Sequence, residues 1–224
     1  MGTMRFTLPG GITADAAREL QRACLVGGPD NMPWPTELGF PPGQMTATRG
    51  VDESGYLSAP WAIPGAGCLM GATATLMERP RPYRLLTELA RGKVNQLRGQ
   101  AADWQMGGLQ LPADLQEEVR KTAGAFGRAI TRADADDANR EAQVALESAY
   151  RAADHLVRTY IEQVFLIRRQ RQPRLESTLG VRVGPSPPSA ETTALLKDTF
   201  NAVHVPLSWN CLLYTSPSPR DRQK

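Results

Sequence analysis

The chain has few of the residues that most often carry chemistry: two histidines, three cysteines and 6% aromatic residues in 224 positions. Cys24, Cys68 and Cys211 form an odd set without metal-type spacing, so a disulfide framework is not expected and a reducing compartment is favoured. No Gly-rich phosphate loop, nucleophile-elbow serine, metal-binding helix motif or Cys pair is present, and no cofactor or metal is expected. No run approaches the ~18 apolar residues of a membrane span. The start, Met1-Gly2-Thr3-Met4-Arg5-Phe6, carries no apolar signal region, so cytoplasmic is the default location. Charge of one sign is missing too: 26 Lys and Arg face 23 Asp and Glu. Without residues 211–224 the balance is 23 to 22, which gives neither nucleic acid nor an anionic membrane a reason to be the partner.

What is present suits a folded protein. A hydrophobic share of 41% with 22% charged residues excludes a disordered or collagen-like chain. The length allows one large domain or two small ones, but falls short of the about 250 residues of a complete (β/α)8 barrel. Composition and punctuation divide the chain into a β-rich module (1–80), a helical region (81–180), a Pro/Ser linker with a short helix (181–199), a strand segment (200–210) and a tail (211–224).

In the first module Thr13 caps a helix expected over 14–25, and the proline-crowded stretch 31–43 reads as an irregular loop. Strands are expected over 44–48, 56–59 and 68–78, the last apolar or small on both faces and therefore buried. Helical periodicity begins at Pro82 and follows Leu86, Leu89, Ala90, Val94, Leu97, Ala101 and Trp104 to Gly107. Pro112 opens a second helix. A third starts among Asp134, Asp136 and Asp137, where negative charge complements the helix dipole, and Val144, Leu146, Tyr150, Leu156, Ile161, Val164 and Ile167 carry it to about 169. Long helices joined by short connections should pair antiparallel.

Chemistry-bearing candidates are sparse. The acidic run from Asp134 lacks the Gly and Glu that a calcium loop needs at its sixth and twelfth positions. His155, beside Asp154 in the long helix, reads as a solvated or capping residue. His204, near the end of a predicted strand over 200–207, reads as a core or pocket histidine. Arg168, Arg169, Arg171 and Arg174 match a helix C-terminus better than a nucleic-acid patch. Trp34, Trp61 and Trp104, with Tyr56 and Tyr83, could offer flat faces to sugar rings, but aromatics at this density are more often core, Trp104 and Tyr83 above all because they fall on a helical stripe.

The final stretch, Cys211 to Lys224, has no helix or strand period and resembles a translated sequencing adaptor. Native sequence is then expected to end near Asn210. The segment Phe200-Asn201-Ala202-Val203-His204-Val205-Pro206-Leu207-Ser208-Trp209-Asn210 resembles an early barrel strand of family 10, xylanase-type glycoside hydrolases. The preceding region, with Tyr56-Leu57-Ser58-Ala59-Pro60-Trp61, Met77-Glu78-Arg79 and Pro82-Tyr83-Arg84-Leu85-Leu86-Thr87-Glu88-Leu89-Ala90-Arg91-Gly92-Lys93, resembles the N-terminal part of bacterial members of endo-1,4-β-xylanase type. In place of the family's usual Glu-Asn and Lys this strand has Pro206, Leu207 and Ser208, and Trp209 alone corresponds.

The resemblance implies an α+β chain: a β-rich accessory module, long helices and the first strand of a truncated (β/α)8 barrel. It implies a polysaccharide partner contacted by Trp209, His204, Trp61 and Trp34. It also implies retaining hydrolysis by two glutamates on strands beyond Asn210, so no catalytic residue is expected within these residues. The strand over 200–207 is expected to be unpaired or borrowed into the first module's sheet. The competing expectation is a non-enzymatic interaction or scaffold protein built on the β-rich module and the helical hairpin.

Overall fold

Period-two alternation builds the first third of the chain, and period-3.6 alternation most of the rest. The computed structural model describes residues 1–173, 176–184 and 186–206, which are mixed α+β. The chain divides into two compact units, Met1–Leu166 and Ile167–Lys224. In chain order the first holds β1 (Gly2–Thr7), α1 (Ala14–Leu20), β2 (Cys24–Gly27), β3 (Met32–Pro33), β4 (Thr36–Gly39), β5 (Gln44–Arg49), β6 (Gly55–Ile63), β7 (Gly67–Ala72), β8 (Tyr83–Arg84), α2 (Leu85–Met106), α3 (Ala113–Thr131) and most of α4 (Ala135–Arg171).

Two four-stranded sheets form, in the orders β4-β5-β1-β8 and β3-β2-β6-β7. Every pairing is antiparallel except β1 with β8. Alternate residues of β1 and β5 turn inward, so Met4, Phe6, Met45 and Ala47 join Leu25, Leu57 and Ala59 of the second sheet in one core. Leu85, Leu86 and Leu89 of α2 and Ala142, Ala145 and Leu146 of α4 complete it.

Several local expectations change. The first helix stops at Leu20 rather than 25, because Leu25 and Val26 are buried in β2 and pair with Leu57 and Tyr56. Tertiary pairing there outweighs helical propensity. The stretch 31–43 is not wholly irregular: β3 and β4 lie in it, both at sheet edges, where Pro33 leaves no interior ladder bond unmade. The strand expected over 68–78 ends at Ala72 and is largely exposed, since β7 is itself an edge. Beyond it the Thr73 hydroxyl accepts the Leu57 N–H and donates to the Ala74 carbonyl, replacing regular ladder bonds.

The helices form a second core. Val94, Leu97 and Ala101 of α2, Leu115 of α3, and Ala149, Ala152 and Leu156 of α4 are buried together. Helix α3 runs antiparallel to α4, as the Arg128–Glu141 ion pair (3.0 Å) and the His155 Nδ1–Glu118 Oε2 contact (3.2 Å) show. Trp104 stacks on Tyr160 at 4.3 Å between centroids. Tyr83 is buried, but in β8 rather than on the helical stripe expected from Pro82, because pairing with β1 holds Tyr83 and Arg84 extended and α2 begins at Leu85. The Asp134 carboxylate accepts the Asp137 N–H and so caps α4.

The buried stripe of α4 differs from the one its large apolar residues suggest. Ala138, Ala142, Ala145, Ala149, Ala152, Leu156 and Thr159 face inward in steps of four and three, while Val144, Ile161 and Ile167 are exposed. Alanine at these steps lets neighbouring elements approach closely.

The second unit contains β9 (Gly180–Arg182), α5 (Ala190–Thr199) and β10 (Ala202–His204). Here the expected state of the strand over 200–207 is corrected. It is neither unpaired nor part of the first module's sheets: β10 pairs in parallel with β9, Val203 opposite Val181. A parallel pair needs a crossover, which α5 provides, with the Ser189 hydroxyl accepting the Thr192 N–H at its start. The Asn201 side chain extends the ladder, accepting from the Leu179 N–H (2.7 Å) and donating to the Ser177 carbonyl (2.8 Å).

Gly92 marks the tightest helix–sheet approach. A Cβ there would stand 1.9 Å from the Ala72 carbonyl oxygen, a backbone atom that cannot yield alone. Gly99, on the same helix, has open space around its missing Cβ. Gly99→Ala should therefore stabilise the chain by about 0.5–1 kcal/mol through helix propensity. Gly92→Ala should destabilise it by about 2–3 kcal/mol through overpacking. Urea unfolding of the two variants should give opposite signs; the same sign would refute the close approach.

Candidate functional site

A trough of about 970 Å³ opens on the first unit. Its floor is apolar, with Ile63 of β6 and Leu86 of α2, and one wall is the indole of Trp61. The Pro9–Gly11 turn and the start of α1 border it on one side, and the first turns of α4 on another. Gly11, at φ +75°, makes the sharp turn that sets α1 beside the opening.

Trp61 is fixed by a hydrogen bond across the fold. Its Nε1–H donates to Gln143 Oε1 at 2.9 Å, and the Gln143 amide donates in turn to Glu147 Oε1 at 2.8 Å. The ring is thus half-buried against the core and oriented before any ligand arrives. Asp15, Glu19, Asp136, Asn139 and Arg140 supply a polar rim of predominantly negative charge. Asp15 pairs with Arg18 one turn along α1, Glu19 with Arg22 just past its end, and Arg140 with Asp137. An apolar floor, one oriented indole and a hydrogen-bonding rim can hold a ring-shaped polar ligand by stacking and edge contacts. The trough lining holds no histidine or lysine, and its one thiol, Cys68, is exposed.

Trp34 has a different setting. Its six-membered ring occupies the space that a Cβ on Gly27 or Gly55 would need, 2.3 Å and 2.7 Å from the nearest ring atoms. These glycines are register partners across β2 and β6. The Arg49 guanidinium, only 2% exposed, lies 5.3 Å from the ring centroid and donates to the Glu53 carbonyl. Trp34 therefore closes a sheet, and Trp61 is the ring presented to the trough.

His204, expected as a core or pocket histidine, is instead exposed at the end of the short edge pair β9–β10 in the second unit, with its carbonyl accepting the Val183 N–H. Trp209 lies outside the described residues, as does the tail. Trp34 and Trp61 belong to the first unit and His204 to the second. Gln143 escaped sequence reasoning because it lies 82 residues from the indole it orients, with nothing local to mark it.

A smaller cavity, about 410 Å³, lies between β6, β7, α2 and α4, with Tyr56, Thr73, Lys93, Gln96 and Tyr150 in its lining. Burial holds the Lys93 ammonium below the usual lysine range and raises the Tyr150 phenol. Among the described residues no three His, Cys, Asp or Glu side chains gather as a metal site, and no helix is long and apolar enough to cross a membrane. No family model, curated protein or solved structure matches the chain.

The two tryptophans should respond differently to truncation. Trp34→Ala would empty the space over Gly27 and Gly55 and unstack Arg49, costing about 3 kcal/mol. Trp61→Ala, half-buried at a cavity wall, should cost about 1–2 kcal/mol. Thermal melts followed by circular dichroism check the order; a larger loss at Trp61 would reverse the assignment.

Proposed function

We propose that the chain is the N-terminal part of an O-glycosyl hydrolase resembling the family 10, endo-1,4-β-xylanase type. In this proposal the first unit is an accessory region that contacts polysaccharide, and the second opens the catalytic (β/α)8 barrel. The observation that carries it is the β9–α5–β10 unit, in which β9 precedes the strand expected as the barrel's first, so that in this proposal β10 is the second. A parallel strand–helix–strand element is the repeat from which such barrels are made. In a closed barrel both faces of such strands are covered, yet Val203 of β10 and Val205 just beyond it are 58% and 56% exposed here. The segment resembling a family barrel strand contains β10, and Asn201 of that segment ties β10 to β9. His204 then stands at the C-terminal end of a barrel strand, the end where substrates bind in this architecture.

The trough supplies the accessory contact, with Trp61 as the sugar platform. Retaining hydrolysis needs two carboxyl groups about 5–5.5 Å apart. The resemblance assigns both to strands beyond Asn210, so no residue of this chain is given a catalytic role.

A second proposal has its own observation. Val157, Ile161, Phe165 and Leu166 are exposed along α4, an apolar face that suits an interaction or scaffold protein.

The test has two arms. The chain extended through its downstream reading frame should hydrolyse a chromogenic β-xyloside or β-glucoside, and inactivity across a broad panel of β-glycans would sink the hydrolase. The 224-residue chain should bind a xylo-oligosaccharide, with Trp61→Ala weakening binding at least tenfold and Trp34→Leu, provided it folds, leaving it intact. Absence of glycan binding together with self-association lost in Ile161→Asp would favour the scaffold.

A further inference from the structure

The smaller cavity of the first unit has chemistry opposite to that of the trough. Its lining contains no carboxylate, and its charge is the single ammonium of Lys93. Gly92 brings this turn of α2 onto the backbone at Ala72 and Thr73, so Lys93 and Gln96, one turn apart, stand at the end of β7. The Lys93 ammonium donates to Gln96 Oε1 at 3.0 Å and lies 4.5 Å from the centroid of the Tyr150 ring. That hydrogen bond holds the Gln96 amide by its oxygen and leaves its NH2 group as a donor. The Tyr150 hydroxyl donates to the Met70 carbonyl at 3.4 Å, a long bond that a better acceptor would replace. Thr73 is closed to a ligand, since its hydroxyl already serves Leu57 and Ala74.

The set is therefore one cation, an amide donor and two phenol rings, with no ionic partner among the lining residues. A partly buried ammonium without a counter-ion costs stability that an apolar residue at the same place would not. Its burial beside Tyr150, in a cavity within the usual ligand-pocket range of about 300–1,000 Å³, fits a group that waits for an anion. The single charge suits a carboxylate, and the aromatic walls suit a ring carrying it.

We propose that this cavity binds the carboxylate of one sugar-acid residue, with Lys93 and Gln96 donating to the carboxylate and Tyr56 and Tyr150 flanking the ring. The choice of a sugar rests on the polysaccharide reading above; the carboxylate rests on Lys93. The site lies apart from the Trp61 trough, and the two share no lining residue.

The probes are D-glucuronate, D-glucose and cyclohexanecarboxylate, titrated into the 224-residue chain and followed by calorimetry and amide NMR. Glucuronate should bind at least tenfold more tightly than either other probe and shift the amides of Gly92, Lys93 and Gln96. Lys93→Met should lose that binding at least tenfold. Its melting temperature should stay equal or rise, because the folded-state pKa of Lys93 is depressed and the charged form is penalised at neutral pH. Trp61→Ala should leave glucuronate binding unchanged. Equal binding of glucose would overturn the anion, and equal binding of cyclohexanecarboxylate would overturn the sugar. Undiminished binding in Lys93→Met, or amide shifts confined to other residues of the wild-type chain, would overturn the site. Failure of the trough alone, seen as no effect of Trp61→Ala on neutral oligosaccharide, leaves these readouts untouched.

Discussion

The close contact of α4 with the rest of the first unit depends on side chains that end at Cβ. Ala142 and Ala145 enter the core beneath the sheets, and Ala149 and Ala152 the core among the helices, so one helix seals both. Larger residues on this stripe would force α4 outward, and interiors have little free space to absorb such a change. Gln143 and Tyr150 then flank the stripe at distances that allow one to hold the Trp61 indole and the other to close the smaller cavity. Both candidate sites thus depend on the same small-residue packing.

Helix α2 was legible in the sequence, since Leu86, Leu89, Val94 and Leu97 are large, apolar and inward-facing, and burial by large side chains is what periodicity detects. Helix α4 was legible as a helix but not in its orientation. Alanine scarcely weighs in a hydrophobic pattern, so Val144 and Ile161 dominated although both are exposed. The seam at 138, 142, 145, 149 and 152 was available as a repeat of identity rather than of hydrophobicity. Strands that pair far along the chain were hardest to see. The pairing of Val26 with Tyr56 overrode a local helical pattern, and β10 found its partner in a stretch that reads as linker.

The candidate site was legible only in part. An aromatic ring can be nominated from composition, but whether it lines a cavity depends on contacts distant in sequence. Two adjacent glycines on paired strands draw Trp34 inward, whereas Gln143 holds Trp61 at the trough. Lys93 gave no signal, being one basic residue on a helix that carries several. Its character comes from burial next to Tyr150, which is a property of the packing.

Gly92 also bears on how this protein can change over time. A position that accepts only a hydrogen atom cannot serve as a dial. The separation of α2 from β7 is inherited as fixed, and the cavity floor with it. Variation in what the cavity admits is channelled to Lys93, Gln96 and Tyr56, whose side chains can be exchanged without moving a backbone. The most constrained residue of the site thereby makes its neighbours the ones free to diverge.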